Sequence, residues 1–142
     1  MRAEVSLEIA RPPEEVFAYL TDVSNLPQWQ SGVHSAVLDG APCAGATIRE
    51  SRHLLGRELH TAIAIEKFDP PRVFALRSLD SPMPFTVHHE LEPSASGTRL
   101  TVVGEGEAGL LPGFVQRVME RRARRRFQKD FERLKQLLES GG

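Results

Sequence analysis

Among 142 residues the chain has one cysteine, one tryptophan and one tyrosine, and aromatic residues make up 6 % of it. The single Cys43 excludes an internal disulfide, and its loop-like setting, Ala41-Pro42-Cys43-Ala44-Gly45, reads as an ordinary thiol rather than a nucleophile. No window approaches the roughly eighteen uncharged apolar residues that a membrane-crossing helix needs. The start, Met1-Arg2-Ala3-Glu4, opens no signal-peptide pattern, so the expected location is the cytoplasm. There is no internal repeat and no low-complexity tract. Net charge is also small, at -1, which by itself points to no strongly charged partner.

What is present is an ordinary globular composition, 40 % hydrophobic and 26 % charged, in a length suited to one domain over residues 1–142. The small net charge hides an asymmetry. Residues 1–109 carry -6, and residues 110–142 carry +5. A basic tail on an acidic body suits an anionic membrane or nucleic acid, and equally a helix docked on its own acidic sheet.

The basic part is periodic. Val115, Met119, Ala123, Phe127, Phe131, Leu134 and Leu138 recur at steps of four or three, which predicts one long helix over Leu110 to Glu139 with Pro112 in its first turn and Gly141-Gly142 as its stop. Leu111, Phe114 and Val118 widen its apolar face at the N-terminal end only. The run Arg121-Arg122-Ala123-Arg124-Arg125-Arg126 then reads as a solvated face.

Ahead of that helix the pattern is mainly sheet. Val5, Leu7 and Ile9 alternate with Glu4, Ser6 and Glu8 in a first strand. Pro12-Pro13-Glu14-Glu15 then opens a short helix with Val16, Phe17 and Leu20 on its apolar side, and a second short helix ends near Trp29. Val33 to Leu38 is a second strand. Ala46 to Leu55 and Glu58 to Phe68 form a hairpin around Gly56-Arg57, in which Arg52 is expected to face Thr61, Glu50 to face Ile63 and Ile48 to face Ile65. Three more strands follow: Arg72 to Ser78, Phe85 to Glu92 after a loop bounded by Pro82 and Pro84, and one carrying Leu100 and Val102. The count is about seven.

On the hairpin's apolar face Glu50, Arg52 and Thr61 are anomalies, because a buried charge needs a partner. Three readings stay open: a pocket lining, a wet rim, or a slipped register with a three-residue loop. The five histidines show no metal pattern, since His88 and His89 must point to opposite faces and His53 with His60 lack an evident third ligand. No metal or other cofactor is expected. His89 shares the inward face with Phe85 and Val87, where it is either a satisfied core histidine or an acid–base group.

The stretches Glu8-Ile9-Ala10-Arg11-Pro12-Pro13-Glu14-Glu15-Val16-Phe17, Asp22-Val23 and Leu26-Pro27-Gln28-Trp29 resemble the N-terminal signature of the polyketide cyclase/dehydrase branch of the START-like (SRPBCC) superfamily. Phe68-Asp69-Pro70-Pro71-Arg72, Leu91-Glu92-Pro93 and Gly97-Thr98-Arg99-Leu100 are similar to further stretches of that branch, in the same order. The glycine-dense loop of its plant pathogenesis-related relatives is missing, with only Gly40 and Gly45 nearby. The resemblance implies an α+β helix-grip fold, in which a curved antiparallel sheet wraps a long C-terminal helix and leaves a cavity for an apolar ligand. In such a fold Trp29, Glu50, Arg52, Thr61, Phe74, Leu76, Phe85, Val87, His89, Phe114 and Val118 are the candidate lining.

The expected function is binding or transport of a hydrophobic small molecule of lipid, polyketide or isoprenoid type. A cyclase, dehydratase or lyase using Glu50, Arg52 or His89 is one alternative. An interaction module working through the basic helix, on a protein or a membrane surface, is another. Nucleic acid is not an expected partner, because no stacking platform accompanies the arginines. The chain is expected to be a monomer or a homodimer.

Overall fold

The computed structural model describes every residue except Leu55, Pro82, Ala108, Gly109 and Gly142, together with the side chain at position 54. Strand β1 (Arg2–Ile9) is followed by α1 (Pro13–Thr21), a single 3-10 turn (Val23–Asn25) and α2 (Leu26–Trp29). Next come β2 (Val33–Asp39), β3 (Thr47–Leu54), β4 (Arg57–Asp69), β5 (Val73–Leu79), β6 (Phe85–Ser94) and β7 (Gly97–Gly106), and the chain ends in α3 (Gly113–Ser140). The seven strands form one antiparallel sheet in the order β1-β7-β6-β5-β4-β3-β2. This is the open, curved sheet with a long terminal helix that the family resemblance implies. Bulges between Val33 and Ser35 and between Ile65 and Lys67 add local bend to it.

Local chemistry explains the short elements. Val16, Phe17 and Leu20 fall on one side of α1 and are buried. The Asp22 carboxylate accepts from the Ser24 amide and caps the 3-10 turn. Ile9, Leu100 and Leu134 are fully buried, so β1, β7 and the C-terminal half of α3 share one core.

Helix α3 runs alongside β1. The Glu120 carboxylate accepts from the Arg2 amide at 3.4 Å, and the Glu139 carboxylate accepts from the Ala10 amide at 2.9 Å. From Arg2 to Ala10 an extended strand covers about 27 Å, and the helix from Glu120 to Glu139 covers about 28 Å, so the two elements match in length. The first turns of α3 therefore project roughly 10 Å past the start of β1. Further along, Gly104 lets the helix approach β7, for a Cβ there would lie 2.6 Å from the Phe127 ring.

Two sequence expectations are corrected. Leu54 pairs with Arg57, so the hairpin loop is Leu55-Gly56 rather than Gly56-Arg57, and Leu55 lies outside the described residues. Gly56 has a φ of +75°, which a glycine accepts without strain at the second loop position. The register thus moves by two, and Glu50 faces Thr61, Arg52 faces Leu59 and Ile48 faces Ile63. Because the side-chain period is also two, no residue changes face. Second, α3 starts at Gly113 with Pro112 as its N-cap, which leaves Leu110 and Leu111 outside the helix. Pro82 and Gly142, read as a loop boundary and part of the helix stop, lie outside the described residues.

Candidate functional site

The polar cluster sits where β3 and β4 meet α2. Glu50 and Thr61 are directly opposite on the inner face, with the apolar pair Ile48 and Ile63 beside them. Glu50 is 5 % exposed, and its Oε2 receives a hydrogen bond from Arg52 Nε at 2.7 Å. Arg52 Nη2 donates in turn to Gln30 Oε1 at 2.9 Å. A charge-assisted chain therefore runs from the end of α2 onto the sheet, and it answers the anomaly in the hairpin pattern: the carboxylate is buried, but it is paired.

Two buried polar atoms in this region have no hydrogen-bond partner. They are Thr61 Oγ1 and Trp29 Nε1. Leaving such a group unsatisfied costs about 1–3 kcal/mol. The Trp29 ring lies 5.1 Å from that of Phe131 on α3, which is 5.8 Å from the ring of His89. On its other side the His89 ring meets Phe74 at 5.4 Å, and its Nδ1–H donates to the Phe74 carbonyl oxygen at 2.8 Å. Burial pushes the pKa of His89 down to about 4, although the Phe74 hydrogen bond works against that shift. The imidazole is therefore neutral at pH 7, with its lone pair on Nε2.

A second set of contacts fixes α3 over α2. Asp130 Oδ1 accepts from the Ser31 amide at 3.2 Å, while Arg126 Nη2 donates to the Ser31 carbonyl at 2.7 Å. Burial raises the pKa of the Asp130 carboxyl, and the hydrogen bonds from Ser31 and the charge of Arg126 oppose this. A groove of about 230 Å³ opens between α2 and α3, lined by Trp29, Gln30, Asp130 and Arg133 among others. A larger one of about 350 Å³, between α1 and the β4–β5 turn, shares no residue with the polar cluster. The smaller groove reaches Trp29 and Gln30, whereas Glu50, Arg52 and Thr61 do not line it.

The family model described as polyketide cyclase/dehydrase and lipid transport matches residues 1–139. The chain belongs to this family. Among curated proteins none matches. Solved structures of the same fold include TTHA0849 of Thermus thermophilus, at a TM-score of 0.83 and 14 % identity over 100 % of this chain and 99 % of that one. Protein NE0264 of Nitrosomonas europaea gives 0.80 at 18 % identity over 99 % and 96 %. A Rhodobacter sphaeroides protein gives 0.78 at 22 % identity over 99 % and 93 %. Identities this low establish the fold alone.

In this family member Trp29, Glu50, Arg52 and Thr61 come together through Gln30, and Phe74 and His89 join them through Phe131. Leu76, Phe85 and Val87 are half-buried and pack on the core. Phe114 and Val118 are not gathered with the rest: they are 68 % and 49 % exposed, on the part of α3 that overhangs β1. Sequence reasoning misses Gln30, since nothing in its local sequence marks it. Asp130 had a signal, as it falls three residues after Phe127 and four before Leu134 and so puts a carboxyl on the apolar stripe.

On the outer face the β2 bulge brings the His34 ring within 5.2 Å of that of His53. Glu58 lies opposite His53, and the Ser51 hydroxyl bonded to its carboxylate, ahead of the nearby histidines, holds its pKa below the usual value. Among the described residues no group of three or more histidine, cysteine or acidic side chains is arranged to hold a metal ion.

Proposed function

We propose that the protein binds a hydrophobic small molecule carrying at least one oxygen, with its apolar body against the aromatic residues and its polar end on the Gln30–Arg52–Glu50 chain. The observation that carries this reading is the pair of buried, unpartnered atoms, Trp29 Nε1 and Thr61 Oγ1, beside that chain. Buried polar atoms are nearly always satisfied, so a ligand oxygen that accepts from the indole N–H supplies a missing partner. Membership of a family that includes lipid transport supports an apolar ligand.

Carriage rather than conversion fits His89, whose neutral ring is wedged between Phe74 and Phe131 and is a weak base with a pKa near 4. A cytoplasmic setting is part of this proposal, resting on the single, exposed Cys43. The test is native mass spectrometry of gently purified protein, with extraction of whatever co-purifies. An apolar, oxygen-bearing molecule lost in Thr61→Val and Trp29→Phe is the expected result. Retention of the same molecule by both variants would remove these two atoms from the site.

A further inference from the structure

The N-terminal half of α3 has a face that the fold leaves unused. Among the described residues Leu110, Phe114 and Val118 are the exposed large hydrophobics of this region, at 104 %, 68 % and 49 %. Phe114, Val118, Arg121 and Arg125 follow at steps of four, three and four, so they share one helix face, and Arg122 flanks it one turn after Val118. Arg121, Arg122 and Arg125 are exposed and form no ion pair among the described residues, unlike Arg124, which is bonded to Glu120.

The geometry of this face carries two chemistries in sequence along one helix. An apolar tip comes first and a cluster of free guanidinium groups follows within about 10 Å. We propose that it docks on an anionic phospholipid surface, with Phe114 and Val118 entering the headgroup boundary and Arg121, Arg122 and Arg125 on the anionic headgroups. A second copy docked on the same face would set arginines against arginines. Nucleic acid would match the arginines and leave the aromatic and aliphatic tip in water. An anionic bilayer offers negative charge and an apolar interior a few ångströms apart, which matches both halves of the face. This inference is independent of the ligand reading, because none of these residues touches the Gln30–Arg52–Glu50 chain.

The experiment is sedimentation of the full chain with phosphatidylcholine vesicles, with and without phosphatidylserine, at low and high salt. Binding to the phosphatidylserine vesicles alone, weakened by salt, is expected. Phe114→Ser with Val118→Ser should lower that binding about tenfold or more. Arg121→Glu with Arg125→Glu should lower it about six-hundredfold, since each arginine near the surface is worth roughly a fivefold change in affinity and reversal counts twice. All four positions are exposed, and unchanged thermal melting would show that the variants fold. Absence of wild-type binding, or binding that survives the apolar double variant, overturns the proposal. So does a concentration-dependent dimer in ultracentrifugation that Phe114→Ser abolishes, because a second copy would then cover the face.

Discussion

The two halves of α3 have the same period and opposite fates. From Phe127 onward the helix buries Phe131, Leu134 and Leu138, along with Asp130, while residues 113–126 contribute no fully buried side chain. The difference does not lie in apolar content, for Phe114, Val115, Val118 and Met119 are as apolar as their C-terminal counterparts. It lies in the partner. From Phe127 onward the stripe finds β1, β7 and α2; over the start of β1 and beyond it, it finds only part of a surface. An amphipathic stripe thus marks which face of a helix can be covered, and the placement of its neighbours decides how much of it is.

The sharpest way to break this comparison is truncation at matched positions. Leu134→Ala, at a fully buried site, should cost about 3–5 kcal/mol in urea unfolding, whereas Phe114→Ser should change stability by less than about 0.5 kcal/mol. Equal losses at the two ends would show that the N-terminal half is gripped as well.

Next comes acid. His89, beneath the gripped half, has a folded pKa of about 4 against an ordinary 6.5, so the unfolded chain takes up the proton first as pH falls. Its contribution is complete above about pH 6.5 and is lost progressively down to about pH 4, amounting to about 3 kcal/mol. Asp130, whose carboxyl is raised, acts in the opposite sense as pH rises through its own pKa, so the histidine is isolated by comparison with His89→Phe. Urea midpoints that fall equally in both proteins between pH 6.5 and 4 would remove His89 as the cause.

A smaller effect tests the polar cluster at the border of the two regions. Arg52→Ala strips the buried Glu50 carboxylate of its partner and should cost about 2 kcal/mol, less than for a fully enclosed pair because the Arg52 side chain is 26 % exposed. Glu50→Leu combined with Arg52→Leu should recover most of that loss in the same unfolding assay. If the double variant is no better than the single one, the pair is contributing net stability and is not held in place for a ligand.

Much of the architecture was legible in the sequence, because it depends on local periods. The alternation in β1, β6 and β7, the proline-opened α1 and the three-and-four spacing of α3 each report a face without reference to the rest of the chain. The inward placement of Glu50, Arg52, Thr61 and His89 follows from the same alternation, and it survives a two-residue error in the hairpin register because two is the strand's own period.

What local pattern does not carry is who meets whom. The sequence by itself determined the order of elements, their buried faces and the presence of polar groups on one of them. Tertiary structure alone decided that Gln30 bonds Arg52, that Ser31 is held between Asp130 and Arg126, that Trp29 Nε1 and Thr61 Oγ1 are left without partners, and that Phe114 and Val118 stay in solvent. The reason is physical. Periodicity is set by bonds along the backbone, whereas these contacts join residues up to about a hundred positions apart, and they depend on where one element ends relative to another.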